Sequence, residues 1–93
     1  MRRALLRTEA FVRAAKRLAK RDAAAIDGLR EALELLAEDA FHPQLKTHKL
    51  KGGLAGCWAC SAGYDLRVVF EFVEQEEGEA ILLLSAGTHD EVY

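Results

Sequence analysis

Three short stretches carry the residue types that chemistry needs. Lys46-Thr-His-Lys-Leu-Lys51 sets His48 among lysines Lys46, Lys49 and Lys51 and runs into Gly52. Asp65 and Arg67 stand two residues apart, and His89-Asp-Glu-Val-Tyr93 closes the sequence with an imidazole and a phenol. Together they supply what cleavage of a phosphodiester by the neighbouring ribose hydroxyl requires. A base takes the 2′-OH proton, an acid protonates the departing 5′-oxygen, and cations steady the phosphorane. Histidine ordinarily titrates near pH 6.5 and serves as either base or acid. Lysine and arginine suit the phosphate, and a tyrosine stacks on a base or gives a proton. Such chemistry needs no metal and no other cofactor, and the sparse carboxylates of these stretches argue against a two-metal site.

Each residue also has a plainer reading. Asp65 and Arg67 could be a same-face strand pair worth under ~1 kcal/mol. His48 could be an exposed loop residue, His89 a solvent-facing turn residue, and His42 before Pro43 loop punctuation. Trp58 fits a core as readily as a base-stacking platform. Cys57 and Cys60 form a single Cys-x-x-Cys with no second pair, whereas a structural zinc site needs about four ligands. On a strand, positions i and i+3 point to opposite faces, so the two thiols read as small apolar fillers.

The element that must position these groups is Tyr64-Asp-Leu-Arg-Val-Val-Phe-Glu-Phe72. Leu66, Val68, Phe70 and Phe72 fall on one face at period 2, and Asp65, Arg67, Val69 and Glu71 on the other. This predicts a central antiparallel strand with a core face and a working face. Upstream, residues 2–7 read as a first strand, and Thr8 with Glu9 as a helix start. Phe11, Ala14, Ala15 and Leu18 recur at helical spacing. Asp22 is the next cap candidate, and Ile26, Leu29, Leu33 and Leu36 mark one face of a second helix. Arg21-Asp22 leaves room only for a tight turn, hence an antiparallel helical hairpin. His42-Pro43 breaks the helical pattern, because a residue before proline avoids the α region.

A loop over 43–53 leads to a strand over 54–61, and Ala62-Gly63 turns into the central strand. The acidic loop 74–79 is a solvated connection to a last apolar strand over 80–85, which Gly87 ends. The order is strand, two helices, three antiparallel strands: a small α+β sandwich with the helical hairpin on one sheet face and the other face open. Pairing of 64–73 with 80–88 would carry Asp65 toward His89.

Composition sets the outer limits. The sequence has 93 residues, and residues 1–93 are expected to form one domain. A core of this size leaves room for an open groove rather than a large enclosed cavity. No apolar run approaches the ~20 residues a bilayer span needs, and no signal-peptide core follows the basic start, so a cytoplasmic protein without membrane contact is expected. The net charge of −2 hides strong segregation. Residues 1–21 sum to +7, 22–43 to −5, 44–70 to +3 and 71–93 to −7. That favours a polyanion on one face, although solvated helix faces give the same counts.

The residues that carry a family likeness are His48-Lys-Leu-Lys-Gly52, Gly56-Cys-Trp58, Asp65-Leu-Arg-Val-Val-Phe70 and Gly87-Thr-His-Asp-Glu-Val-Tyr93. The pattern resembles the RelE/ParE superfamily of bacterial type II toxins, in particular its YafQ-like branch of ribosome-dependent mRNA endonucleases. The predicted element order matches that family's fold. The resemblance implies that His48, Asp65 and His89 are catalytic, with Tyr93 at the aromatic position. Arg67 is similar to the arginine that holds the scissile phosphate, and Lys46, Lys49 and Lys51 to basic residues that bind RNA. It implies a cognate antitoxin, the ribosome and mRNA as partners, and a heterotetramer or larger toxin–antitoxin complex. Where YafQ-like toxins have a further histidine before the aspartate this sequence has Ser61, and where they have a tryptophan after it, Leu66. A ParE-like toxin that blocks gyrase without RNA chemistry is the alternative, and it leaves His48 and His89 unexplained.

Overall fold

The computed structural model describes residues 2–92. The chain runs β1 (Leu5–Arg7), α1 (Glu9–Arg21), α2 (Ala23–Glu38), β2 (His48–Lys49), β3 (Trp58–Ser61), β4 (Leu66–Gln75), β5 (Gly78–Thr88) and α3 (His89–Val92). Short 3-10 turns at Pro43–Leu45 and Gly52–Leu54 flank β2.

The helical hairpin forms where the spacing predicts it. Thr8 caps α1, its Oγ1 accepting the Phe11 N–H at 3.1 Å and donating to the Leu83 carbonyl at 2.9 Å. The cap thus ties the helix start to the sheet as well as satisfying an orphan donor. Asp22 ends α1 and begins α2 with extended backbone, but its side chain makes no capping bond. Phe11, Ala14 and Leu18 are buried on α1. On α2 the buried stripe is Leu29, Ala32 and Leu36, while Ile26 and Leu33 are only partly buried at its flank.

The sheet order is β1-β5-β4-β3-β2. It is mixed rather than purely antiparallel, because β1 runs parallel to β5, with Leu5 opposite Ile81. The chain between the two parallel strands runs through the helical hairpin and then β2, β3 and β4, far longer than the short turn that joins antiparallel neighbours. Two elements are additional to the expected order: β2 inside the 43–53 loop and α3 at the end. β4 also extends to Gln75 and β5 to Thr88, beyond Gly87.

Leu66, Val68 and Phe70 of β4, Cys60 of β3 and Ile81, Leu83 and Ala86 of β5 join the helices in one core. The step from Ile81 and Leu83 to Ala86 keeps one face because a bulge intervenes. Val69 faces Ser85 and Phe70 faces Leu83, so Leu84 is the extra residue. Val69 and its partner Ala59 are buried on the face away from the helices, so Val69 is not part of a working surface.

At one end of the sheet Phe41, Trp58 and Phe72 pack edge-on and stacked, with centroids 5.3–5.8 Å apart. The Lys49 ammonium lies 5.5 Å from the Trp58 ring centroid and the Arg3 guanidinium 5.3 Å from that of Phe72.

Gly28, in the middle of α2, marks a close approach. A Cβ there would sit 2.7 Å from the Ala62 carbonyl oxygen at the end of β3. The helix backbone thus rests against the turn that leads into Asp65.

Candidate active site

Strand register decides which candidate residues share a face. Ser61 faces Arg67, and Arg67 faces Gly87, in one row across β3, β4 and β5. Leu66 faces Thr88, the last pair before the sheet ends. Asp65 lies in the bend that precedes β4, not on the strand expected to carry it, and His89 begins α3 just past β5. Asp65 and His89 are exposed and Arg67 is half-buried. Gly87, at the β5 end of this row, carries no side chain, and Glu91 covers the place a Cβ would take.

Lys46 adopts a left-handed conformation (φ 52°) and joins Gln44, Ser61, Gly63, Tyr64 and Arg67 around an open cleft of about 530 Å³. Two cations therefore meet beside Ser61. The Arg67 guanidinium donates to the Leu66 carbonyl at 3.1 Å and stays beside its own strand. Tyr64 is fully exposed and also borders a second, mostly apolar cleft of about 450 Å³ that includes Arg21, Asp65 and Thr88.

The other basic candidates are spread more widely. His48 pairs with Ala59, which pairs with Val69, so His48 shares the face of Arg67 but stands two strands away. At about 4.8 Å between strands and about 3.4 Å per residue, their Cα atoms are roughly 12 Å apart. Its Nδ1–H donates to the Lys46 carbonyl at 2.9 Å, linking it to the cationic cleft. Lys49 faces Trp58 and lies over that ring, on the opposite face. Lys51 continues away from Ser61 and Arg67. Tyr93 lies outside the described residues. Trp58 is committed to the aromatic cluster and is not an open stacking platform.

α3 places His89 in its first position. Thr88 and Glu91 form a capping box: the Thr88 N–H donates to Glu91 Oε1 at 2.8 Å, and the Glu91 N–H donates to Thr88 Oγ1 at 3.4 Å. Arg21, at the end of α1, donates to both Glu91 oxygens at 2.8 and 3.0 Å. The guanidinium hydrogen bonds, then the Thr88 N–H, pull the Glu91 carboxyl down to about 2. The Thr-x-x-Glu spacing signals this box in the sequence, but the expected solvent-facing end of the chain conceals it. Tyr64, exposed beside a glycine turn, is the other residue with a site position that pattern reasoning assigns no role.

Both cysteines are free thiols. Burial pushes Cys60 up to about 12 and raises Cys57 as well, which fits packing rather than redox chemistry. Among the described residues, no three His, Cys, Asp or Glu side chains form a group able to hold a metal ion. Among the same residues, no helix is long and apolar enough to cross a membrane.

The family model described as "Bacterial toxin of type II toxin-antitoxin system, YafQ" matches residues 3–93. The chain belongs to the YafQ toxin family. Its fold is shared with YafQ from E. coli strain BL21(DE3), at 17% identity and a TM-score of 0.79 over 98% of each chain. YafQ in the E. coli DinJ–YafQ complex gives 17% and 0.78 over 98% of each. A metal-bound toxin from Helicobacter pylori gives 26% and 0.73 over 100% of each. No curated protein matches the chain in sequence. YafQ-family membership agrees with the likeness carried by the 48–52, 65–70 and 87–93 stretches, and the fold agrees with the α+β architecture expected from them.

Proposed function

We propose that this YafQ-family toxin is a ribosome-dependent mRNA endonuclease, neutralised by a cognate antitoxin as E. coli YafQ is bound by DinJ. The observation that carries the reading is the register around Arg67. It sets a guanidinium between Ser61 and Gly87, in a cleft that Lys46 also lines, while Asp65 precedes and His89 follows the terminal pair Leu66–Thr88.

In this reaction a base removes the 2′-OH proton, O2′ attacks phosphorus, and the bond to O5′ breaks as an acid protonates that oxygen. The products are a 2′,3′-cyclic phosphate and a 5′-hydroxyl. Asp65 and His89 supply the base and acid, and Arg67 with Lys46 bears the phosphorane charge. Tyr64 offers its ring to a nucleobase beside the cleft. With His48 roughly 12 Å from Arg67, its place is along the strand, about two nucleotide steps away, next to Lys46.

The test is induction of the gene without its neighbours, followed by mapping of message ends. Cuts within translated codons that carry cyclic phosphate are expected. Asp65→Ala and His89→Ala should each lower cleavage by about 10²–10⁴-fold. Growth arrest and cutting at the parent level by both variants would end the nuclease reading. DNA-damage signalling with intact transcripts would point to gyrase instead.

A further inference from the structure

A general acid or base works only if it is held, and His89 sits on a helix of four residues at the end of the chain. Helices this short have no stability of their own, so something outside α3 must fix the imidazole. The contacts identify it. Glu91 folds back over Gly87, where a Cβ would meet Glu91 Oε1 at 3.0 Å and its Cβ at 3.2 Å. From there it accepts the Thr88 N–H at 2.8 Å and both arms of the Arg21 guanidinium at 2.8 and 3.0 Å. Arg21 belongs to α1, whose own position is set by the buried Phe11, Ala14 and Leu18. The chain of support therefore runs from the core, through α1 and Arg21, to the N-terminal turn of α3.

We propose that Arg21 and Glu91 are positioning residues for His89, clamping α3 so that the imidazole is held just past the Leu66–Thr88 end of the sheet. What His89 does there rests on the nuclease reading; where it is held does not. Arg21 is suited to the task because a planar guanidinium binds a carboxylate through two parallel hydrogen bonds and so fixes orientation as well as distance. A lysine would keep the charge but lose the fork. Arg13 makes its ion pair within its own helix, with Glu9 at 3.8 Å.

The experiment compares Arg21→Gln, Arg21→Lys and Glu91→Gln with Arg13→Gln, which removes a charge from the same helix. Amide exchange and His89 imidazole resonances of the purified protein report position directly. Exchange at Thr88 should quicken about tenfold or more in Arg21→Gln and Glu91→Gln and less in Arg21→Lys, with β4 amides unchanged. Single-turnover cleavage on programmed ribosomes at saturating protein should fall about 10- to 100-fold, with ribosome affinity within about twofold, as expected for a misplaced catalytic group. Arg13→Gln should match the parent in every readout. Unchanged exchange and unchanged His89 resonances would overturn the proposal. So would a loss of cleavage that merely tracks weaker ribosome binding, because Arg21 would then be an RNA contact. If the parent cuts no message, the nuclease reading falls while the exchange data still decide whether the pair holds His89.

Discussion

Gly28→Ala puts a methyl where α2 meets the sheet, and two effects of opposite sign compete. Alanine in a helix interior is favoured over glycine by about 1 kcal/mol. Against that, the new Cβ would lie 2.7 Å from the Ala62 carbonyl oxygen, and ordinary contact begins near 3.4 Å. The obstacle is backbone, not the end of a flexible side chain, so α2 or the β3–β4 turn must move. Ala62 is itself held by its N–H bond to the Leu66 carbonyl at 2.8 Å. Forcing a close-packed contact apart costs typically about 1–3 kcal/mol. The clash wins by about 1 kcal/mol, which lowers the melting temperature of a domain this size by roughly 4–8 °C. Thermal unfolding followed by circular dichroism is the assay. A melting temperature equal to or above the parent's would show that the turn yields freely, and that Gly28 is not what sets the helix-to-sheet distance.

Two further outcomes follow from the titrating groups. Cys60 should stay unlabelled by a thiol reagent at pH 8 until the protein is unfolded, and Cys57 should react slowly; rapid labelling of both would contradict their burial. Glu91 titrates near 2 in the folded protein against 4.5 for the free side chain. Its contribution is therefore complete above about 4.5 and is lost as pH falls toward 2, a small share because solvent screens the exposed pair. A carboxyl carbon titration that places Glu91 near 4.5 would show the clamp to Arg21 absent in solution.

Much of the fold is legible because local and global signals agree. Thr8 caps where a helix must begin, Pro43 follows where one must end, and β4 keeps Leu66, Val68 and Phe70 on its core face. What escapes the sequence depends on partners distant in the chain. β2 is two residues long and exists only because β3 lies beside it. The parallel pairing of β1 depends on β5, the last strand of the chain, and Leu5–Arg7 carries no mark of direction. Period-2 reasoning puts Val69 with Arg67 correctly, yet it cannot see that Ala59 and Val69 cover one another. Of the candidate site, the register brings Ser61 and Arg67 together and stops one residue short of Asp65 and of His89. It sends Lys49 to the far side, because adjacent residues of a strand face opposite ways and His48 takes the near one.

The supernumerary Leu84 sets the phase of everything after it. Were Leu84 taken up as an ordinary ladder residue instead of being bulged out, Ser85 onward would slip by one and each side chain of the strand would exchange sides. Ala86 would leave the core and Gly87 would turn its bare backbone inward. The bulge at one aliphatic residue with no chemistry of its own thus keeps the end of β5 in phase.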